Sequence, residues 1–230
     1  MKKIGFIGAY DKTDLLLNIA KILTTMNKKT LIIDSTINQK AKYVVPAIEP
    51  TISYITSFED IDVAIGFNDF EEIKRYLGRA EEFAYDIVLI DCDTIERIEK
   101  FKLDEAQKNY FITSFDVYSL KRGLEILSNI STAMKLTKVY FAKEALKEDD
   151  DYLNYLSLGY KIDWDEERIY FSLENGDLAA ITENQRVQKI KFRKLSLQYK
   201  ESICFMVQQI LELNKDTDVR KAIKNIEKGA

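Results

Sequence analysis

The chain has 230 residues, 46% apolar and 31% charged, with a net charge of −4 and a pI near 5.2. That mixture suits a soluble domain with a large core, and its overall field does not favour nucleic acid. Histidine is absent, which excludes histidine bases, Ser-His-Asp triads and histidine metal ligands.

The two cysteines, Cys92 and Cys204, form no CxxC pair. The expectation is reduced thiols, with neither a disulfide nor a zinc site. The opening Met-Lys-Lys-Ile-Gly-Phe-Ile is too short an apolar run for a signal peptide. No stretch approaches the ~20 apolar residues that span a bilayer. The expected location is the cytoplasm.

The first predicted element is a strand over Lys3–Ile7. A helix from about Lys12 to Met26 follows, with Leu15, Leu16, Ile19, Ala20 and Leu23 on one face. Further strands are predicted at Thr30–Asp34, Asp86–Asp91 and Tyr110–Ser114. After Asp116, the spacing of Leu120, Leu124, Leu127 and Ile130 predicts a second helix. Strands at Lys138–Ala142 and Arg168–Leu173 enclose the acidic run Glu148–Asp151, which reads as a solvated loop or helix start. A long helix carries Leu195, Tyr199, Ile203, Met206, Ile210 and Leu213. Most of the strands are continuously apolar, the pattern of strands covered on both faces. Alternation with helices predicts an α/β fold: one doubly wound, mostly parallel sheet with helices on both faces. With two prolines, eight glycines and no linker, residues 1–230 read as one domain.

The first strand and helix are joined by Gly5-Phe6-Ile7-Gly8-Ala9-Tyr10-Asp11-Lys12-Thr13. Strand, Lys-Thr pair and helix form the context of a phosphate-binding P-loop, in which backbone N–H groups and the helix N-terminus cradle phosphate. The pattern GxxxxGK[ST] requires glycines where this chain has Phe6 and Asp11, and Gly8 is out of register. Asp11 puts a carboxylate where phosphate oxygens would sit, and aspartate is itself a good helix cap. Lys12 either answers that charge on behalf of phosphate or pairs with Asp11.

Here the chain resembles the ParA/MinD family of deviant Walker ATPases, in order and over nearly its whole length. Lys28–Asp34 is similar to the family's second strand and Tyr85–Asp91 to its Walker B strand. Tyr110–Leu127 and Lys191–Leu213 are similar to its later strand-helix and closing helix. The resemblance implies a P-loop NTPase-like fold. It implies a nucleotide site of Gly8, Asp11, Lys12, Thr13, Asp34 and Asp91. Lys12 would meet the β/γ phosphates, Asp34 would lie at switch I, and Thr13 and Asp91 would hold Mg²⁺ if Mg-ATP binds.

The chain also departs from the family pattern. Ile7 stands at the signature lysine that reaches across the dimer, and Thr36 at the second switch I aspartate. Cys92-Asp93-Thr94 lacks the usual glycine or proline pair, and Phe141-Ala142-Lys143 lacks the adenine-reading asparagine. The resulting reading is a non-hydrolysing assembly, positioning or regulatory factor of pilus, secretion, conjugation or division machinery. It would act through a homodimer and protein partners, with no cofactor. The alternative is an active Mg-ATP-dependent ATPase.

Two segments invite surface functions by the same resemblance. The basic cluster Lys189, Lys191, Arg193, Lys194 and Lys200 is either a DNA contact or a solvated turn. Val219, Ala222, Ile223 and Ile226 form a narrow apolar helical face. It is either a peripheral membrane helix or a short helix packed on the domain. The 13 tyrosines are scattered, unlike the tail of a bacterial tyrosine kinase.

Overall fold

The computed structural model describes residues 1–47, 51–78, 84–142, 147–172 and 175–229. Eight strands among them form one sheet: β1 (Lys2–Ile7), β2 (Thr30–Asp34), β3 (Tyr54–Phe58), β4 (Ile61–Ile65), β5 (Ile87–Cys92), β6 (Lys108–Thr113), β7 (Met134–Phe141) and β8 (Ile162–Phe171). Their order is β3-β4-β2-β5-β1-β6-β7-β8. Every neighbouring pair is parallel except β3–β4. The central strands are buried along nearly their whole length, as their continuous apolar runs require.

Helices cover both faces. On one side α1 (Thr13–Thr25), α7 (Asn175–Val187), α8 (Leu197–Leu211) and α9 (Thr217–Lys228) pack with Phe6, Ile32, Tyr110 and Phe171. On the other lie α3 (Phe70–Tyr76), α4 (Ile95–Lys100), α5 (Val117–Ser128) and α6 (Lys147–Leu156), over Ile7, Ile33, Ile90 and Phe111. A short helix, α2 (Ala41–Val44), follows β2. Side-chain caps fix several starts: Asp69 accepts from Glu72 N, Asp116 from Ser119 N and Ser196 from Tyr199 N.

Three expectations are corrected. The acidic run is a helix start, the first turn of α6, but it is not wholly solvated: Asp150, on the inner side of that turn, is 0% exposed and ion-paired to Lys138 and Arg168. The long closing helix begins at Leu197, because Ser196 caps it; 189–196 is a turn, and α9 follows as a separate helix. β8 begins at Ile162, six residues before the expected Arg168, and Leu173 lies outside the described residues.

The apolar face of α9 is buried, with Val219 0% exposed, and it packs against α1 and α8. In this fold that face is not offered to a membrane. Val219→Asp places a charge in the helix layer and is expected to destabilise the protein by about 3 kcal/mol. In thermal unfolding that is a fall of roughly 6–12 °C for a chain of this size. A melting temperature unchanged to within about 2 °C contradicts the docking of α9.

Candidate functional site

The C-terminal ends of β2, β5 and β1 meet in register, with Asp34 opposite Asp91 and Phe6 opposite Asp91. The loop 8–12 after β1 therefore emerges beside both aspartates. Gly8 leads it with φ +137°, and a Cβ there would collide with the Ile112 carbonyl oxygen of β6. Glycine is required by that close approach and that backbone angle. The Gly8 N–H donates to the Cys92 carbonyl at 3.1 Å, tying the loop to β5.

Lys12 is 2% exposed. Its Nζ donates to the Gly8 and Tyr10 carbonyls at 2.6 and 3.0 Å and lies 2.9 Å from Asp91 Oδ1. The expected alternative of a Lys12–Asp11 pair is thus not what forms. Asp11 instead accepts the Thr13 N–H on Oδ1 at 3.1 Å, and its Oδ2 pairs with Lys40 from the loop before α2. The first amide of α1 is therefore held by the chain's own carboxylate. Burial pushes the Asp11 carboxyl up, but Lys40 and the Thr13 amide outweigh it and leave it below the usual range. Burial drives Asp91 up to about 7, against the pull of Lys12. Asp93 is raised by burial as well.

Asp34 is turned onto its own loop. It accepts from Thr36 N and Oγ1 at 3.1 and 2.6 Å and from Ala41 N at 2.9 Å. Asp93 accepts from Ile37 N at 3.0 and 3.1 Å, so the loop after β2 is held from both sides. Together these parts line a cleft of ≈ 190 Å³ that includes Asp11, Lys12, Thr13, Lys40, Asp91 and Asp93. Tyr10 leaves the loop and stacks on Phe141 at 4.7 Å, and Phe141 stacks on Phe171 at 4.7 Å. Lys143 lies outside the described residues.

The fold thus brings Gly8, Asp11, Lys12, Thr13, Asp34 and Asp91 to one end of the sheet. Sequence reasoning missed Lys40 and Asp93, which join the site through contacts far apart in the chain, and Tyr10, whose carbonyl accepts from Lys12. Asp14 is a further case. It sits in the first turn of α1 and accepts from Gln185 Nε2 of α7 at 2.7 Å. Burial and the nearby Asp11 charge raise it to about 6.

A carboxyl with a folded pKa above its unfolded value penalises the fold wherever it is ionised. The penalty is absent below the unfolded pKa of about 3.9, grows between there and about 6, and is complete above. Asp14→Asn keeps an acceptor for Gln185. It is expected to stabilise the protein by roughly 1 kcal/mol at about pH 8 and by almost nothing at about pH 4. Urea unfolding at both values checks this; an advantage that is the same at both, or larger in acid, contradicts it.

No protein-family model matches the sequence, and no curated protein matches it. Solved structures do match the fold. A ParA family ATPase from Chlorobium tepidum superposes with a TM-score of 0.62 at 13% identity, over 93% of this chain and 98% of that one. MinD in the MinC:MinD cell division complex of Aquifex aeolicus gives 0.59 at 14%, over 93% and 95%. An ATP complex of a McdA variant from Cyanothece gives 0.57 at 13%, over 94% and 98%. Together with the P-loop position after β1 and the paired aspartates on β2 and β5, these likenesses establish that the chain has the P-loop NTPase-like α/β fold of ParA/MinD-type proteins.

Proposed function

We propose that this protein is a non-hydrolysing assembly, positioning or regulatory factor of the ParA/MinD type, working in the cytoplasm through dimer and partner contacts. The observation that carries the reading is the Asp11 carboxylate on the Thr13 amide, at the helix N-terminus where phosphate would bind. Phosphate and Asp11 compete for the same donor, and Lys12 is held by two loop carbonyls and Asp91. The residues as they stand do not fit a nucleotide phosphate at that amide. One structure of similar fold is a protein complex, MinC:MinD. That supports protein partners here by analogy of fold alone.

A homodimer through the loop face is part of the proposal. Ile37, Tyr43, Ile52, Val117 and Tyr118 are 65%, 76%, 93%, 68% and 68% exposed. All five belong to segments at the C-terminal end of the parallel strands, the end that carries the cleft, and Tyr43 lines it. Exposed large apolar side chains at one end of the sheet suit a protein interface. Sedimentation with and without Mg-ATP tests the reading. The expected result is the same dimer in both and no phosphate release.

The second reading is an active Mg-ATP-dependent ATPase, in which Lys12 serves the phosphates and Thr13 and Asp91 hold Mg²⁺. Its support is the buried Lys12–Asp91 pair beside Thr13 and neighbours solved with AMPPNP or ATP. Dimerisation that requires nucleotide, with turnover lost in Lys12→Ala, would establish this second reading instead. The basic residues of 189–194 project from a turn whose Ile190 and Phe192 are buried. No helix among the described residues is long and apolar enough to cross a membrane.

A further inference from the structure

The chain's charge is segregated. Residues 147–168 carry eight carboxylates and three cations, whereas residues 186–200 carry six cations and no carboxylate. In the fold these become two separate surfaces.

The acidic surface is built on α6 and the sheet edge β8. Trp164 Nε1 donates to Ser157 Oγ at 3.0 Å and Arg168 pairs with Asp150 at 3.2 Å, so α6 lies directly on β8. Asp150 and Asp165 are consumed inside the protein by Lys138, Lys108 and Lys135. Glu148, Asp151 and Glu166 are exposed and form no ion pair among the described residues. Beside them Tyr152, Tyr155 and Leu158 are 53%, 69% and 72% exposed.

The basic surface is the turn between α7 and α8. Ile190, Phe192 and Leu195 are buried and fix it to the core. Arg186, Lys189, Lys191 and Arg193 are exposed without an ion pair among the described residues. Val187 and Leu197 flank them, 45% and 73% exposed.

The two surfaces belong to opposite faces of the sheet. Leu153 of α6 belongs to the core on the α3–α5 side, while the turn packs beside α1 near Asp14 and Leu17. They do not meet within one chain. Like surfaces repel, so neither pairs with its own copy across a two-fold axis. We propose that the outer face of α6 and β8 on one copy docks the basic turn of the next, giving a head-to-tail assembly. Tyr152 and Tyr155 offer ring faces to the guanidinium groups of Arg186 and Arg193, and Leu158 meets the apolar flanks of the turn. Contact between unlike patches closes into a ring or runs on as a filament. This assembly is independent of the dimer through the loop face.

Sedimentation velocity across a concentration series, at about 0.02 M and about 0.5 M salt, tests it. Wild-type mass is expected to grow beyond the dimer at low salt and to fall back at high salt. Two exposed-surface variants, Lys191→Glu/Arg193→Glu and Asp151→Lys/Glu166→Lys, should each lose that growth while melting like the parent. Mixed in equal amounts they should regain it, because each reversed patch now faces its complement. Growth that ignores salt, growth that persists in either variant alone, growth that needs added DNA, or a mixture that stays dispersed contradicts the proposal. The dimer should survive in both variants and at both salts; its loss would count against the loop-face interface and not against this one.

Discussion

Asp150→Ala is expected to lower stability by about 3–5 kcal/mol, a drop of roughly 6–20 °C in melting temperature. Asp150, in the first turn of α6, is 0% exposed. It pairs with Lys138 at 2.9 Å and Arg168 at 3.2 Å, and accepts from Tyr140 Oη at 2.6 Å and Asn154 Nδ2 at 3.1 Å. Burial pushes its carboxyl up, yet the Tyr140 and Lys138 hydrogen bonds outweigh that and hold it low. Lys138 is 2% exposed and stands over the Trp164 ring at 5.0 Å. Removing Asp150 leaves an ammonium in the protein without its carboxylate, which is the expensive way to break a buried pair. Asp150→Leu with Lys138→Met removes both charges and should recover most of the loss. A single variant as stable as the parent, or a double variant as poor as the single, contradicts this account of how α6 is held.

The second large effect concerns the cleft. Asp11→Gly is expected to tighten the binding of Mg-ATP by about ten- to a hundredfold. A carboxylate ~4 Å from phosphate repels it by about 4 kcal/mol at an effective dielectric near 20, nearly three factors of ten. Asp11 is 42% exposed and paired to Lys40, so solvent and that pair reduce the figure. Substitution also frees the Thr13 amide and releases Lys40 as a second cation at the site. The lost bond to the helix start should itself lower stability by about 1 kcal/mol. Isothermal titration of both proteins measures the ratio; equal affinities would mean that Asp11 does not guard the anion site.

Much of the fold was legible because its signals were periodic and local. The buried strands β1, β2, β5 and β6 are continuous apolar runs, and α1, α5 and α8 carry clear helical faces. The β3–β4 hairpin was not legible. Its turn is Glu59-Asp60, both with positive φ (51° and 67°), where glycine or asparagine is the usual marker. The start of β8 was hidden because Asp163–Glu167 reads as a polar loop; as an edge strand it tolerates charge. Asp150 looked solvated because its partners, the buried Lys138 and the more exposed Arg168, lie on two other elements.

The site divides the same way. Asp11, Lys12 and Thr13 are adjacent in the chain, and their placement before a helix could be read directly. Lys40 and Asp93 could not be, since both act through contacts 29 and 56 residues away. Which partner Lys12 takes depends on the register that sets β5 beside β1, information that no local pattern carries.

The central claim is that the chain's own carboxylate holds the phosphate position. Calorimetric titration of the wild-type protein with Mg-ATP, coupled to an assay of phosphate release, tests it most directly. The expected result is no saturable binding at micromolar nucleotide and no turnover above the protein-free rate. Micromolar binding accompanied by sustained hydrolysis would contradict it.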